Sequence, residues 1–118
     1  MASVYAVPDP LAGDQVMATL VFRAGGRFEP GAFAAFLAGQ PDLGTKWSPR
    51  FVRVASDLPL TASGKVVKAP LRAAGWLVDD PVWWRPDPRD AGFRLLDNEG
   101  RGRLEAEFRE HGRTALLG

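Results

Sequence analysis

Apolar positions fall in short runs cut by proline and glycine, and the spacing inside each run predicts the element. Val4-Tyr5-Ala6-Val7 is β-branched and aromatic, and Pro8-Asp9-Pro10 closes it as a turn, which predicts a first strand. Val16 to Phe22 predicts a second, ended by Arg23-Ala24-Gly25-Gly26, and the gap between the two suits an antiparallel pair with a wide loop. Pro30 sits at a first helical position and Gly39 at a C-terminal cap. Between them Phe33, Phe36 and Leu37 fall at i, i+3, i+4, an apolar stripe that predicts core packing. Gln40 to Pro49 predicts a loop. Phe51-Val52-Arg53-Val54 predicts a third strand that alternates enough to keep one face wet.

Asp57 to Lys65 has the residues of an exposed loop, with Thr61-Ala62-Ser63-Gly64 as its turn. Val66 and Val67 predict extended backbone, because Ala69 precedes a proline and is biased away from helical dihedrals. Pro70 then opens a short helix, Leu71 to Ala74, stopped by Gly75. Beyond it the pattern changes. Trp76, Trp83 and Trp84 stand among Asp79-Asp80-Pro81 and Pro86-Asp87-Pro88, and such rings bury so much area that the segment is expected to wrap against the body. Leu104 and Phe108, at i, i+4, mark an amphipathic terminal helix within Arg103 to His111; Arg101, Arg103, Glu105, Glu107, Arg109 and Glu110 form its solvated face. The expected fold is α+β: a small three-stranded sheet flanked by short helices, with a Trp-rich C-terminal extension and a terminal helix. The whole chain, 1–118, reads as one domain, its core about 4–76 and its wrapped extension 77–118.

Composition narrows the chemistry. Among 118 residues, 15 Lys and Arg face 14 Asp and Glu, a net charge of +1 that argues against a nucleic-acid partner. Cysteine is absent, which removes disulfides, thiolate nucleophiles and cysteine-based zinc sites. No apolar run approaches a membrane span, and Met1 to Tyr5 lacks the basic leader and apolar core of a signal peptide, so no transmembrane segment and a cytoplasmic location are expected. The only histidine, His111, lies near the end of the last predicted helix, where the helix dipole gives it a structural role, and no second histidine can pair with it around a metal. Asp79-Asp80 reads as a turn rather than an acid/base pair, and the Lys46-Trp47 pair as packing rather than a base-stacking platform.

Only three lysines stand against twelve arginines, so each is weighed. Lys65 follows Ser63-Gly64, where glycine permits a tight turn and leaves room for a close ligand. A compact ammonium there could meet a carboxylate or phosphate oxygen; the commoner reading of Ser-Gly-Lys is a surface turn with a solvated lysine. A phosphate-cradling P-loop is excluded, since Pro59 stands where that motif has glycine and Val66 where it has Ser or Thr.

The order of the segments carries more than any one of them. Val4-Tyr5-Ala6-Val7-Pro8-Asp9-Pro10, Gly13-Asp14-Gln15-Val16-Met17-Ala18, Pro49-Arg50-Phe51-Val52-Arg53-Val54 and Leu58-Pro59-Leu60-Thr61-Ala62-Ser63-Gly64-Lys65-Val66 together resemble the small C-terminal domain of the adenylate-forming (AMP-binding) enzymes, the superfamily of the acyl-CoA synthetases. Pro70-Leu71, Gly75-Trp76 and Asp80-Pro81-Val82-Trp83-Trp84 look like the fatty acid transport protein and very-long-chain acyl-CoA synthetase branch. Members of that branch often carry Phe before the loop lysine, where this chain has Gly64.

The resemblance implies a lid domain of a fatty-acyl-CoA synthetase, which joins a fatty acid to ATP as an acyl-adenylate and then transfers the acyl group to CoA. Lys65 would be the adenylation lysine, with Thr61, Ser63 and Gly64 as its substrate- or nucleotide-binding loop. ATP, magnesium and CoA are implied for the complete enzyme and none for this chain alone, which is expected to be inactive by itself. The large ATP-binding domain is expected on a partner chain or lost from the gene, with any membrane contact made through the complete enzyme. An exposed apolar patch is expected where that partner sits. A non-catalytic docking or acyl-CoA-binding module, and a residual domain without function, remain as alternatives.

Overall fold

The computed structural model describes residues 2–22, 26–38, 49–87 and 92–117, the side chains of 36–38 excepted. β1 (Ala2–Pro8) and β2 (Asp14–Leu20) pair antiparallel with Tyr5 opposite Met17. Their connection is tight: Asp9 accepts the Leu11 N–H at 2.8 Å, and the Asp9 N–H donates to Gly13 O at 2.9 Å. α1 (Pro30–Ala38) carries the chain across the sheet, so that β3 (Phe51–Val54) returns parallel to β2. α2 (Lys68–Ala74), β4 (Val82–Trp84), β5 (Arg94–Leu95), α3 (Asn98–Glu110) and a 3-10 turn (Thr114–Leu117) follow.

The sheet is therefore mixed and five-stranded, in the order β1-β2-β3-β4-β5, and the expected three-stranded sheet is corrected. The two additional strands come from the Trp-rich segment: β4 pairs antiparallel with β3, and β5 with β4. Runs of three and two residues are too short to display alternation, and Val82-Trp83-Trp84 is apolar on both faces, so its pattern did not mark a strand. With β4 beside it, β3 is a central strand. Phe51 and Val52 are both fully buried, so the wet face expected of β3 does not exist.

One sheet face carries the row Tyr5, Met17, Phe51, Trp84, aligned by the register of four strands. Leu71 of α2, Trp76, and Leu104 and Phe108 of α3 close over it as the main core. On the opposite face Val52 packs with Phe28 and Phe93, and Phe33, Ala34 and Trp83 lie against that cluster. Three layers result, with α1 on one side and α2 and α3 on the other. The expected burial of Phe33 is partial; Phe36, Leu37, Gly39, and the loop up to Ser48, with Lys46 and Trp47, lie outside the described side chains. At the β1–β2 end of the second face, Ala2, Val4 and Ala6 are exposed.

Two helix starts also differ from expectation. α2 begins at Lys68, so Ala69 is helical and Pro70 is its third residue; the N–H that proline lacks is one of the four with no partner inside a helix. α3 begins at Asn98, before the expected Arg103, where two glycines obscure the helical pattern. Asp97 caps it, accepting the Gly100 N–H at 2.8 Å. Its far end closes on Gly112 at φ 66, with Arg113 N–H donating to Phe108 O and Gly112 N–H to Arg109 O. Arg113 then reaches back, its Nε donating to Asp9 O at 2.9 Å, and ties the helix end to the β1–β2 turn.

The two glycines of α3 are opposite cases. A Cβ on Gly100 would lie 2.9 Å from Leu96 Cδ1 and 3.1 Å from Trp84 Cζ2, whereas one on Gly102 would meet nothing within 4 Å. Gly100→Ala is expected to destabilise the fold by about 1–3 kcal/mol through overpacking. Gly102→Ala should stabilise it by about 0.5–1 kcal/mol through helix propensity. Urea midpoints of the two variants measure the contrast, and equal shifts would contradict this packing.

Candidate functional site

The stretch between β3 and α2 is pinned at both stems and free at its tip. Leu58 before it and Leu71 after it are buried in the main core. Between them Leu60 and Val66 form an antiparallel bridge, and Val67 N–H donates to Pro59 O at 2.8 Å. Inside this ladder Thr61 N–H donates to Lys65 O at 2.8 Å, and Gly64 N–H to Thr61 O at 2.9 Å. Gly64 holds φ 86, which an L side chain rarely adopts, so the sequence needs glycine here to close the turn.

Side chains reinforce the backbone. Thr61 Oγ1 accepts the Lys65 N–H at 3.1 Å and lies 3.1 Å from Ser63 Oγ. The hydroxyls of Thr61 and Ser63 are thus partly engaged in building the turn. Lys65 is exposed, and among the described residues its ammonium has neither a hydrogen bond nor an ion pair. The geometry brings Thr61, Ser63, Gly64 and Lys65 into one five-residue unit with a free cation at its end. Such a unit can offer an ammonium to a carboxylate or phosphate oxygen. It does not fit a divalent cation: its charge is positive, and among the described residues no group of three His, Asp or Glu is placed to hold a metal ion.

Other residues weighed from the sequence have structural places. His111 is the exposed C-terminal cap residue of α3. Asp80 pairs with Arg53 across the β3–β4 edge, at 2.6 Å to Nη2 and 2.9 Å to Nε. Arg101, expected on a solvated face, is half-buried and donates to Val78 O at 2.7 Å.

Arg50 was not singled out by its sequence, because one arginine after a proline carries no pattern. It is buried, donating to Arg85 O, Gln15 Oε1 and Pro86 O, and its guanidinium lies 5.5 Å from the ring centroids of Phe51 and Trp84. Burial pushes its pKa below the ordinary arginine value. An open cleft of about 360 Å³ beside it is lined by Asp9, Leu11, Glu107, Glu110 and His111. Burial also raises the Tyr5 phenol, against the opposing hydrogen bond to Thr19. No helix among the described residues is long and apolar enough to cross a membrane.

The model of the AMP-binding enzyme C-terminal domain matches residues 1–65, ending on the turn lysine. Steroid-22-oyl-CoA synthetase of Rhodococcus jostii is 49% identical over 115 residues, covering 97% of this chain and 20% of that protein. Medium/long-chain-fatty-acid–CoA ligase FadD17 of Mycobacterium marinum is 53% identical over 81 residues, 69% of this chain and 16% of that protein. The protein of that name from Mycobacterium tuberculosis matches to the same extent, 53% over 81 residues. The chain thus spans a fifth or less of the length of these relatives. With more than half its length under the family model and homology to acyl-CoA synthetases and ligases, the chain belongs to the family of AMP-binding enzyme C-terminal domains.

Proposed function

We propose that this chain is the lid domain of a fatty-acyl-CoA synthetase and that Lys65 is its adenylation lysine. The observation that carries the reading is the exposed, unpaired ammonium held on a hydrogen-bonded turn. The acids in question are of the class named in its relatives, steroid side-chain acids and medium- or long-chain fatty acids. The acid, ATP and CoA would be taken up mainly by the large adenylating domain; among the described residues of this chain no group of carboxylates is placed to hold magnesium.

Lys65 acts where two anions must meet. A substrate carboxylate oxygen forms a bond to the α-phosphorus of ATP while the bond to the pyrophosphate oxygen breaks, giving acyl-adenylate and pyrophosphate. An ammonium beside both groups offsets their repulsion and stabilises the charge on the phosphoryl oxygens in the transition state. The turn fixes the lysine backbone beforehand, so only the side chain is ordered when the site closes. Thr61 and Ser63 position that backbone through the bonds they make within the turn. Withdrawal of the lid would then clear the adenylate for CoA.

The test adds this chain to the Rhodococcus synthetase deprived of its corresponding segment and follows acid-dependent pyrophosphate release. Rescue is expected, and Lys65→Ala should lower it by about 100-fold or more, the scale of removing one preorganised electrostatic donor. Rescue untouched by that change would leave a docking module in place of a catalytic one. Gly64→Ala should cost about 1 kcal/mol of stability, since the strain lies in φ and not in contacts. It should also lower pyrophosphate release with the acid KM little changed; a full rate from that variant would show that the turn geometry does not position Lys65.

A further inference from the structure

Of the cations in and after the turn, Lys68 is not accounted for by the fold. Residues 58–78 hold Lys65, Lys68 and Arg72 and no Asp or Glu, in a chain whose net charge is +1. All three are exposed, and among the described residues none forms an ion pair. Lys68 is the first residue of α2, a helix with no acidic residue in its first turn and no side-chain cap at Val67. A positive charge there opposes the helix dipole, so local stability does not explain its placement.

We infer that Lys68 and Arg72 form a docking strip that pairs with carboxylates on the rim of the adenylating domain Lys65 enters. The inference rests on the proposed role of Lys65 and deepens it by naming the chemistry of the partner surface. Chain reach makes the strip unavoidable. Three residues span at most about 11 Å, so Lys68 must sit at the edge of whatever surface admits Lys65. Arg72 follows one turn later, about 6 Å along the axis and on the same helical face. Two cations brought to that rim are repelled by a basic surface and steered by an acidic one. Protein carboxylates are favoured over a bound phosphate because the strip runs along an exposed helix, where Arg72 borders a small depression with Leu77 and Leu116.

The experiment measures the association rate of the chain with the same truncated synthetase while pyrophosphate release is followed in parallel. At low ionic strength the Lys68→Glu/Arg72→Glu double variant should associate about tenfold more slowly, with Lys68→Gln/Arg72→Gln intermediate. At about 1 M salt, where the Debye length is about 3 Å, the difference should vanish. Lys65→Ala should associate within about twofold of the unaltered chain and still fail in pyrophosphate release. An unchanged rate for the double variant overturns the strip and leaves the lysine's role standing, as does a deficit that persists at high salt. Binding of inorganic pyrophosphate to the chain alone, lost in the double variant, overturns it in favour of a phosphate site. Slowed docking by the double variant, with full pyrophosphate release from Lys65→Ala, keeps the strip and removes the catalytic reading. No association by the unaltered chain removes both.

Discussion

The ring of Phe51 is the constraint on which the rest of the molecule is built. It stacks on Trp84 with centroids 6.2 Å apart and planes 10° apart, and on Trp76 at 6.3 Å and 18°. These contacts join β3, β4 and the segment that leaves α2, three pieces distant in sequence. Arg50 braces them from the side, its guanidinium over two of the rings and its donors on the carbonyls of Arg85 and Pro86. A planar, weakly hydrated cation suits that place, since stacked against aromatics it can remain charged while three acceptors satisfy it. Removing such a group would leave carbonyls unpaired as well as a void.

From that anchoring the behaviour of the turn follows. β3 ends at Val54 and α2 starts at Lys68; Leu58 and Leu71 bury both stems in the core that Phe51 centres. A segment fastened at both ends and hydrogen-bonded across has few conformations left, so its tip is presented outward by the packing beneath it. The Lys65 side chain, exposed and without a partner among the described residues, retains its entropy. Under the role proposed for Lys65, the backbone ordering is completed during folding, and closing on a partner site would restrict one long side chain.

Much of this was legible in the sequence where a local rule and the tertiary context agree. The β1–β2 pair, the helix α1 between β2 and β3, and Leu104 and Phe108 beneath α3 were read from spacing because each element shows its own period. The turn was read from Ser63-Gly64-Lys65, and φ 86 at Gly64 is the conformation its residue type permits. What escaped was non-local. β4 and β5 exist because β3 offers an edge and Trp84 fits against Phe51, and neither fact is written in Val82-Trp83-Trp84 alone. Gly100 and Gly102 likewise spoiled the helical pattern; the first is crowded by Leu96 and by Trp84, and the contact with Trp84 is one a sequence window cannot contain. Arg50 is the same kind of case, its meaning fixed by residues 35 and 36 positions later.

Disagreement between local and global preference is itself informative. Asp97 caps α3, Glu99 lies in its first turn, and Arg109 lies in its last, all in accord with the helix dipole. α2 follows the opposite rule at its start, with a lysine, no cap and no acid, although a carboxylate there would stabilise it. α1 also lacks an acid in its first turn, but α2 alone begins on a lysine, and under the proposed docking strip that cation three residues from Lys65 answers a demand from outside the fold. The same reasoning separates Lys68 from Arg72, which sits at the end of α2 where the dipole favours it. The cost of the basic strip therefore falls on one residue, and that residue is the one nearest Lys65.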